Sequence, residues 1–257
     1  MTNGQEKIVP AFAPFFKEHG YKKKSNTFFK IENDIAFCIL FQRPTSFVYV
    51  HYYILPLYIP TDYHYLTYGD RLESHSVYPV PSYDISEEDN DSLSIMRRIK
   101  DSLPGVMWNE PKKMDFTEWM EQVQKCLAED IFPFFESVNS PEKLLRFLRE
   151  DVREKQKYMP CLGDEYQNSR LAAFTCAHMS DSKSAAEYVA RAQKHLINSS
   201  DGIVGYVTKL WLDELSVLMQ KIEASQETRE AFFRETIAHT LDVCFRIRPL
   251  EDKKRTP

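Results

Sequence analysis

The chain is poor in glycine and carries no strong excess of either charge: seven glycines in 257 residues, and 33 lysines and arginines against 38 aspartates and glutamates. So few glycines disfavour a glycine-rich phosphate-binding loop, and neither a P-loop nor a GxGxxG fingerprint occurs. A formal net charge of −5 argues against a dedicated nucleic-acid binder, although a local basic patch is compatible with it. The five cysteines (Cys38, Cys126, Cys161, Cys176 and Cys244) are scattered, odd in number and without a CxxC pair. Reduced thiols in a cytoplasmic protein are therefore expected, and disulfides are not. The longest apolar stretch, Phe47 to Ile59, is broken by His51 and Pro56. It falls well short of the roughly 20 residues that span a bilayer, so no membrane association is expected. The start, MTNGQEK, lacks the apolar core of a signal peptide.

What is present centres on residues 15 to 43, FFKEHGYKKKSNTFFKIENDIAFCILFQR. Ile8, Phe12, Phe15, Phe16 and His19 recur at helical spacing, and Gly20 sits where a left-handed cap would release the chain. Thr27 to Ile31 and Ile35 to Gln42 are rich in aromatic and β-branched residues. Glu32, Asn33, Asp34 and Ile35 supply turn chemistry between them, so the pattern predicts a hairpin packed on the helix.

The run His19-Gly20-Tyr21-Lys22-Lys23-Lys24-Ser25-Asn26-Thr27-Phe28-Phe29, followed by Ile39-Leu40-Phe41-Gln42-Arg43, resembles the opening of the bacterial domain of unknown function family numbered 4304. Ile131-Phe132-Pro133-Phe134-Phe135-Glu136-Ser137 and then Ser140-Pro141-Glu142-Lys143-Leu144-Leu145 resemble that family's closing helices. The resemblance spans roughly residues 5 to 150 and implies a compact α+β fold with no assigned activity. Ser25 departs from it by standing where the family often has glycine. Pro14 falls inside the first helix and bears on how straight that helix is.

Beyond the hairpin, Phe47 to Ile54 is apolar or aromatic on both faces, as a strand covered on both sides would be. Pro56 and Pro60 end its pairing. Tyr63 to Glu73 is open to a further strand, 79 to 92 reads as an acidic surface loop, and Leu93 to Leu103 reads as a short helix. Helical spacing then takes over. Trp119, Val123, Cys126, Leu127, Ile131 and Phe134 mark a stripe that Pro133 should kink or end. Ser140-Pro141 starts a helix carrying Leu144, Leu145, Leu148 and Val152, with Arg149 to Lys157 as its solvated end and a linker. Four helical stretches follow, at 164–179, 182–197, 203–223 and 226–245, and in the last Phe233, Ile237, Leu241 and Cys244 recur at three or four residues as an amphipathic stripe. Leu171 to Leu196, turning at Ser180-Asp181, is similar to one tetratricopeptide-type hairpin. The fold class expected is α+β: an N-terminal helix packed on a small, mainly antiparallel sheet in residues 1–158, followed by an all-α region in residues 159–257.

The strongest interaction candidate is Lys22-Lys23-Lys24 with Tyr21, Phe28, Phe29, Lys30 and Arg43, because lysines contact phosphates and aromatics stack on bases. Its plainer reading is a solvated turn backed by core aromatics, which the acidic total favours. The tyrosines from Tyr49 to Tyr68 read equally well as a binding face or as an aromatic sheet core. The binding residues singled out are thus Tyr21, Lys22, Lys23, Lys24, Arg43, Tyr49, His51 and Tyr53. His51, His64 and His75 lie in this region without HxH, HExxH or CxxC spacing, so no metal or other cofactor is expected. Cys176 and His178 point roughly 200° apart on a helix and do not form a nucleophile–base pair. No GxSxG elbow or kinase-like set is present, and no catalytic residue is assigned. The expected function is a non-enzymatic intracellular binding protein whose partner is another protein, by analogy of type a toxin-immunity module. A nucleic-acid factor, and a hydrolase or transferase assembled from Asp, Glu and His in 49–75, are the rivals. The nucleic-acid reading predicts RNA or DNA binding that falls steeply with salt and is lost on alanine substitution of Lys22, Lys23 and Lys24 together. A gel assay with no salt-dependent shift removes it.

Overall fold

The computed structural model describes residues 4–42, 47–60, 72–73, 83–84, 115–156, 158, 165–199 and 205–247. The first helix, α1 (Gly4–Glu18), runs unbroken through Pro10 and Pro14. Both prolines are exposed and four residues apart, and each leaves the carbonyl one turn before it without its helical N–H. The helix ends as the sequence predicts. Gly20 has φ 80, its N–H donates to Lys17 O at 3.1 Å, and Tyr21 N–H donates to Phe16 O at 2.9 Å. The Tyr21 and Phe16 rings, 5.6 Å apart, supply the apolar contact that accompanies this cap.

A mainly antiparallel sheet follows: β1 (Lys22–Lys24), β2 (Thr27–Glu32), β3 (Ile35–Gln42), β4 (Phe47–Pro56), β5 (Leu72–Glu73) and β6 (Tyr83–Asp84). Its order is β1-β2-β3-β4-β5, with β6 also pairing β4. Asn33 and Asp34 both take positive φ, 47 and 62, which is the geometry a two-residue hairpin turn requires and which these residue types tolerate best after glycine. Two sequence readings change here. The lysine run is a strand at the sheet edge rather than a turn, with Lys22 opposite Phe29 and Lys24 opposite Thr27. Lysine is a residue that protects such an edge from pairing with other chains. The stretch 79–92, expected to be loop, contributes Tyr83–Asp84 to a ladder with Phe47 and Val48. Only Leu72–Glu73 of the ambiguous 63–73 stretch is described, and it is strand; the helix expected at 93–103 lies outside the described residues.

Helix α2 (Phe116–Cys126) is capped by Asp115, whose Oδ1 accepts from Thr117 N–H at 2.8 Å. Pro133 does not end the helical run. A π-helical turn, Leu127–Ile131, precedes it, and Phe132 N–H reaches back to Leu127 O before α3 (Phe132–Ser137) continues. The wider turn removes the need for a donor at position 133.

Helix α4 (Pro141–Leu148) has Ser140 as its cap, accepting from Lys143 N–H at 3.3 Å, with proline at its first position. The segment after it is more than a linker. It forms α5 (Val152–Gln156), in which Lys155 is 4% exposed because its Nζ donates to Leu148 O at 3.0 Å and to Asn168 Oδ1 at 3.2 Å. The remaining helices are α6 (Glu165–His178), α7 (Ser182–Ser199), α8 (Gly205–Glu223) and α9 (Gln226–Phe245). Among the described residues no helix is long and apolar enough to cross a membrane.

The described residues form two compact units that are not collinear with the chain: one within Met1–Lys30, Phe37–Tyr53 and Ser74–Glu136, the other within Ile31–Ala36, Ile54–Glu73 and Ser137–Pro257. The split at 158 read from the sequence follows the change of side-chain periodicity, whereas the units follow contact. In the first unit Phe16 stacks on Phe28 at 4.1 Å, Phe12 meets Phe41 at 4.9 Å and Trp119 edge-on at 5.5 Å, and Phe132 stacks on Tyr21 at 5.1 Å. In the second, α4, α7, α8 and α9 all pack on α6.

Ser25 has φ 55 in the turn between β1 and β2, the conformation in which the resembling family's glycine is free of the Cβ clash. Ser25→Gly is therefore expected to stabilise the protein by about 1 kcal/mol, reduced somewhat by the entropy glycine adds to the unfolded chain. A urea midpoint that stays put or falls would show that this turn holds no strain.

Candidate functional site

The residues singled out from the sequence do not converge. Tyr21 is buried at 9% exposure and is part of the α1 cap and aromatic core. Lys22 and Lys23 are exposed and Lys24 is half-buried; in a strand their side chains alternate, so the middle lysine faces away from the other two. Phe28 and Phe29 behind them are 1% and 4% exposed and present no face for a base to stack on. Arg43 lies outside the described residues, and Tyr49 lies in β4 without a described side chain. His51 is half-buried in the same strand, while Tyr52, Tyr53 and Tyr58 are 2%, 8% and 0% exposed. Those three tyrosines are core residues. Among the described residues no three His, Cys, Asp or Glu side chains come together as a metal would require.

A concave site does form in the helical unit, where α6 ends and α9 passes. Its cavity measures about 530 Å³, within the range of small-ligand sites, and its walls are mainly apolar. Phe233, Ile237 and Leu241 recur along α9 at helical spacing and, with Ala177 and Ile247, form the apolar wall. Five charged or titratable residues line it as well: Asp34, His178, Arg229, Glu230 and Arg234. Local chemistry fixes the end of α6, next to His178. Ser180 takes φ 64 in the cap that ends α6, where Asp181 N–H donates to Cys176 O at 2.9 Å. Asp181 then caps α7, its Oδ1 accepting from Ser184 N–H at 3.1 Å, and hydrogen bonds from the Ser184 side chain and backbone hold its carboxyl below the usual carboxylate range.

His178 is held on three sides. Its ring stacks on Tyr58 at 4.3 Å, Phe233 meets it edge-on at 5.3 Å, and its Nε2 lies 3.4 Å from Asp34 Oδ2. Tyr58 is itself fixed, since Thr175 spends its proton on Leu171 O at 2.7 Å and so accepts from the Tyr58 hydroxyl at 3.1 Å. Burial holds the Tyr58 phenol far above its usual range. His178 is thus a positioned wall residue.

Arg229 is the unusual member. Its side chain belongs to a residue 8% exposed, its Nη1 donates to Ser182 Oγ at 2.8 Å and to Ile222 O at 3.4 Å, and its Nε has no hydrogen-bond partner among the described residues. Arg170, still more deeply buried, is matched by a carboxylate: Nε and Nη2 both donate to Glu214 at 2.6 Å.

Sequence reasoning marked Phe233, Ile237 and Leu241 as an amphipathic stripe and missed Asp34, Arg229 and their convergence on His178. Asp34 lies 144 positions from His178 in the sequence, and only the packing of the hairpin turn among the helices brings them together. The one available signal was the position of Arg229, four residues before Phe233 on the stripe that continues through Ile237 and Leu241.

The class is therefore an α+β domain with a helical region that bears a lined cleft. The family model DUF4304, a domain of unknown function, matches residues 12–137, just under half of the chain. This is the family that the sequence resembles, and the matched segment contains the second half of α1, the sheet and the run from α2 into α3. No curated protein and no solved structure matches the chain.

Cys176 is fully buried, and burial pushes its thiol up to about 11. A folded-state pKa above the unfolded one means stability is complete below about pH 8.5 and declines as pH rises from there through 11, because the unfolded thiol ionises first. Cys176→Ala should flatten that part of the pH–stability curve, and native Cys176 should resist iodoacetamide. Fast alkylation of Cys176 in the folded protein would contradict its placement.

Proposed function

We infer that this is a non-enzymatic binding protein that works inside the cell and receives part of another protein in the α6–α9 cleft. One observation carries the reading: Ile237 and Leu241 are only half-buried, so the apolar stripe of α9 is left partly open at a concave surface. An apolar wall left in water forgoes about 25 cal/mol for each Å² that burial would remove, and covering it is what a partner offers. The groups beside it favour recognition over reaction. The Cys176 thiol, two residues before His178, is held protonated well above neutrality, and His178 is clasped between two rings with a carboxylate behind it. The basic run on β1 supports the nucleic-acid alternative less well, because its lysines alternate in direction and its aromatics are buried.

Affinity purification from the native host with wild-type protein and with Ile237→Arg tests the reading. The expected result is a stable protein partner held by the wild type and lost by the variant, with both showing the same circular dichroism and melting within a few degrees of each other. Recovery of the same proteins by both, or of none while the wild type stays monomeric, sinks it.

A further inference from the structure

The cleft contains a charge that the protein itself leaves unmatched. Arg229 is more than nine-tenths buried, and no carboxylate among the described residues pairs with it. Its Nη1 is engaged by a hydroxyl and a carbonyl, both neutral, while Nε and Nη2 have no partner among the described residues. A buried cation without a counter-ion is costly, and proteins ordinarily supply one, as Glu214 does for Arg170. Nε is sealed from the surface, which leaves Nη2 as the guanidinium nitrogen that a ligand carboxylate can reach.

The other charges around the cleft limit what could supply the missing partner. Asp34 faces His178 at 3.4 Å, and Glu230 accepts from Gln226 Nε2 at 2.8 Å. Neither is placed on Arg229, yet both make the rim unfavourable for a dianion. Arg234, on the same rim, is exposed and is worth less as a ligand contact. One negative charge matches the one buried and unmatched guanidinium, and the Phe233, Ile237 and Leu241 wall beside it requires that the charge be attached to an apolar group.

We propose that the α6–α9 cleft binds a monocarboxylate carried on an apolar group, with the carboxylate on the Arg229 guanidinium and the apolar part against Phe233, Ile237 and Leu241. This rests on the reading of the cleft as the recognition site and names what enters it. The chain-terminal carboxylate of an apolar residue and a free small acid share this chemistry.

N-acetyl-leucine and N-acetyl-leucinamide, which differ in the charge and hardly in the apolar body, are titrated into the full chain by calorimetry. An acetylated tetrapeptide ending in leucine distinguishes a chain terminus from a free acid, and phenyl phosphate distinguishes a monoanion site from a phosphate site. The acid should bind at least roughly tenfold more tightly than the amide, since a hydrogen-bonded charge is at stake. Arg229→Gln should abolish that preference. Because Arg229 also anchors Ser182, Ile237→Glu serves as a second variant: it leaves the guanidinium in place and sets a competing carboxylate in the cleft, so acid binding should again be lost. Equal binding of acid and amide, no binding of either at millimolar concentration, or tighter binding of phenyl phosphate overturns the proposal. If Ile237→Arg loses its protein partner while the wild type shows no preference for the acid, the binding reading stands and this inference alone falls.

Discussion

From Leu171 to Ala177 every residue is 1% exposed or less, so α6 has no solvent-facing side over almost two turns. A helix surrounded in this way can be packed only if its side chains are small enough for neighbours to approach and its polar groups are satisfied internally. Alanines at 172, 173 and 177 meet the first condition. Thr175 meets the second by bonding back to Leu171 O, and Arg170 by its paired bonds to Glu214. The cleft is a consequence of this burial. Because α6 stops abruptly at Ser180, its last turn presents His178 beside α9 and leaves the space that Phe233, Ile237 and Leu241 line.

Buried charge is handled in three ways in the helical unit, and the differences are informative. Arg170 is matched by a carboxylate, and Lys155 by a carbonyl and an amide oxygen that replace its hydration at the end of α4. Burial nevertheless lowers the affinity of Lys155 for its proton. Arg229 has neutral partners on one nitrogen and a buried Nε with no partner among the described residues, and it is the one of the three that lines the cleft. The cost of an incompletely satisfied guanidinium falls at the wall of the cleft.

The sheet and its helix were largely legible because their signals are local. A glycine cap, two aromatic and β-branched runs and an Asn-Asp turn each act within a few residues, and each appears where the spacing placed it. Pro133 was read as a kink or an end because it cannot donate within an α-helix, and a π-helical turn gives the chain its way past it. The lysine run was read as a turn from charge alone, whereas strand pairing with Phe28 and Phe29 outweighs the poor strand propensity of lysine. The tyrosines could not be resolved between face and core from their spacing, since a strand covered on both sides buries every position.

Taken by itself the sequence determined the fold class, the ends of most helices and the resemblance that the family model bears out over residues 12–137. These depend on caps, periodicity and turn residues, whose energies act between near neighbours in the chain. Only the tertiary structure decided the site. Asp34 reaches His178, and Arg229 is buried without a counter-ion beside an apolar wall, because distant segments pack together and desolvate those groups. Desolvation has no periodicity along a chain, so no spacing of residues could announce it.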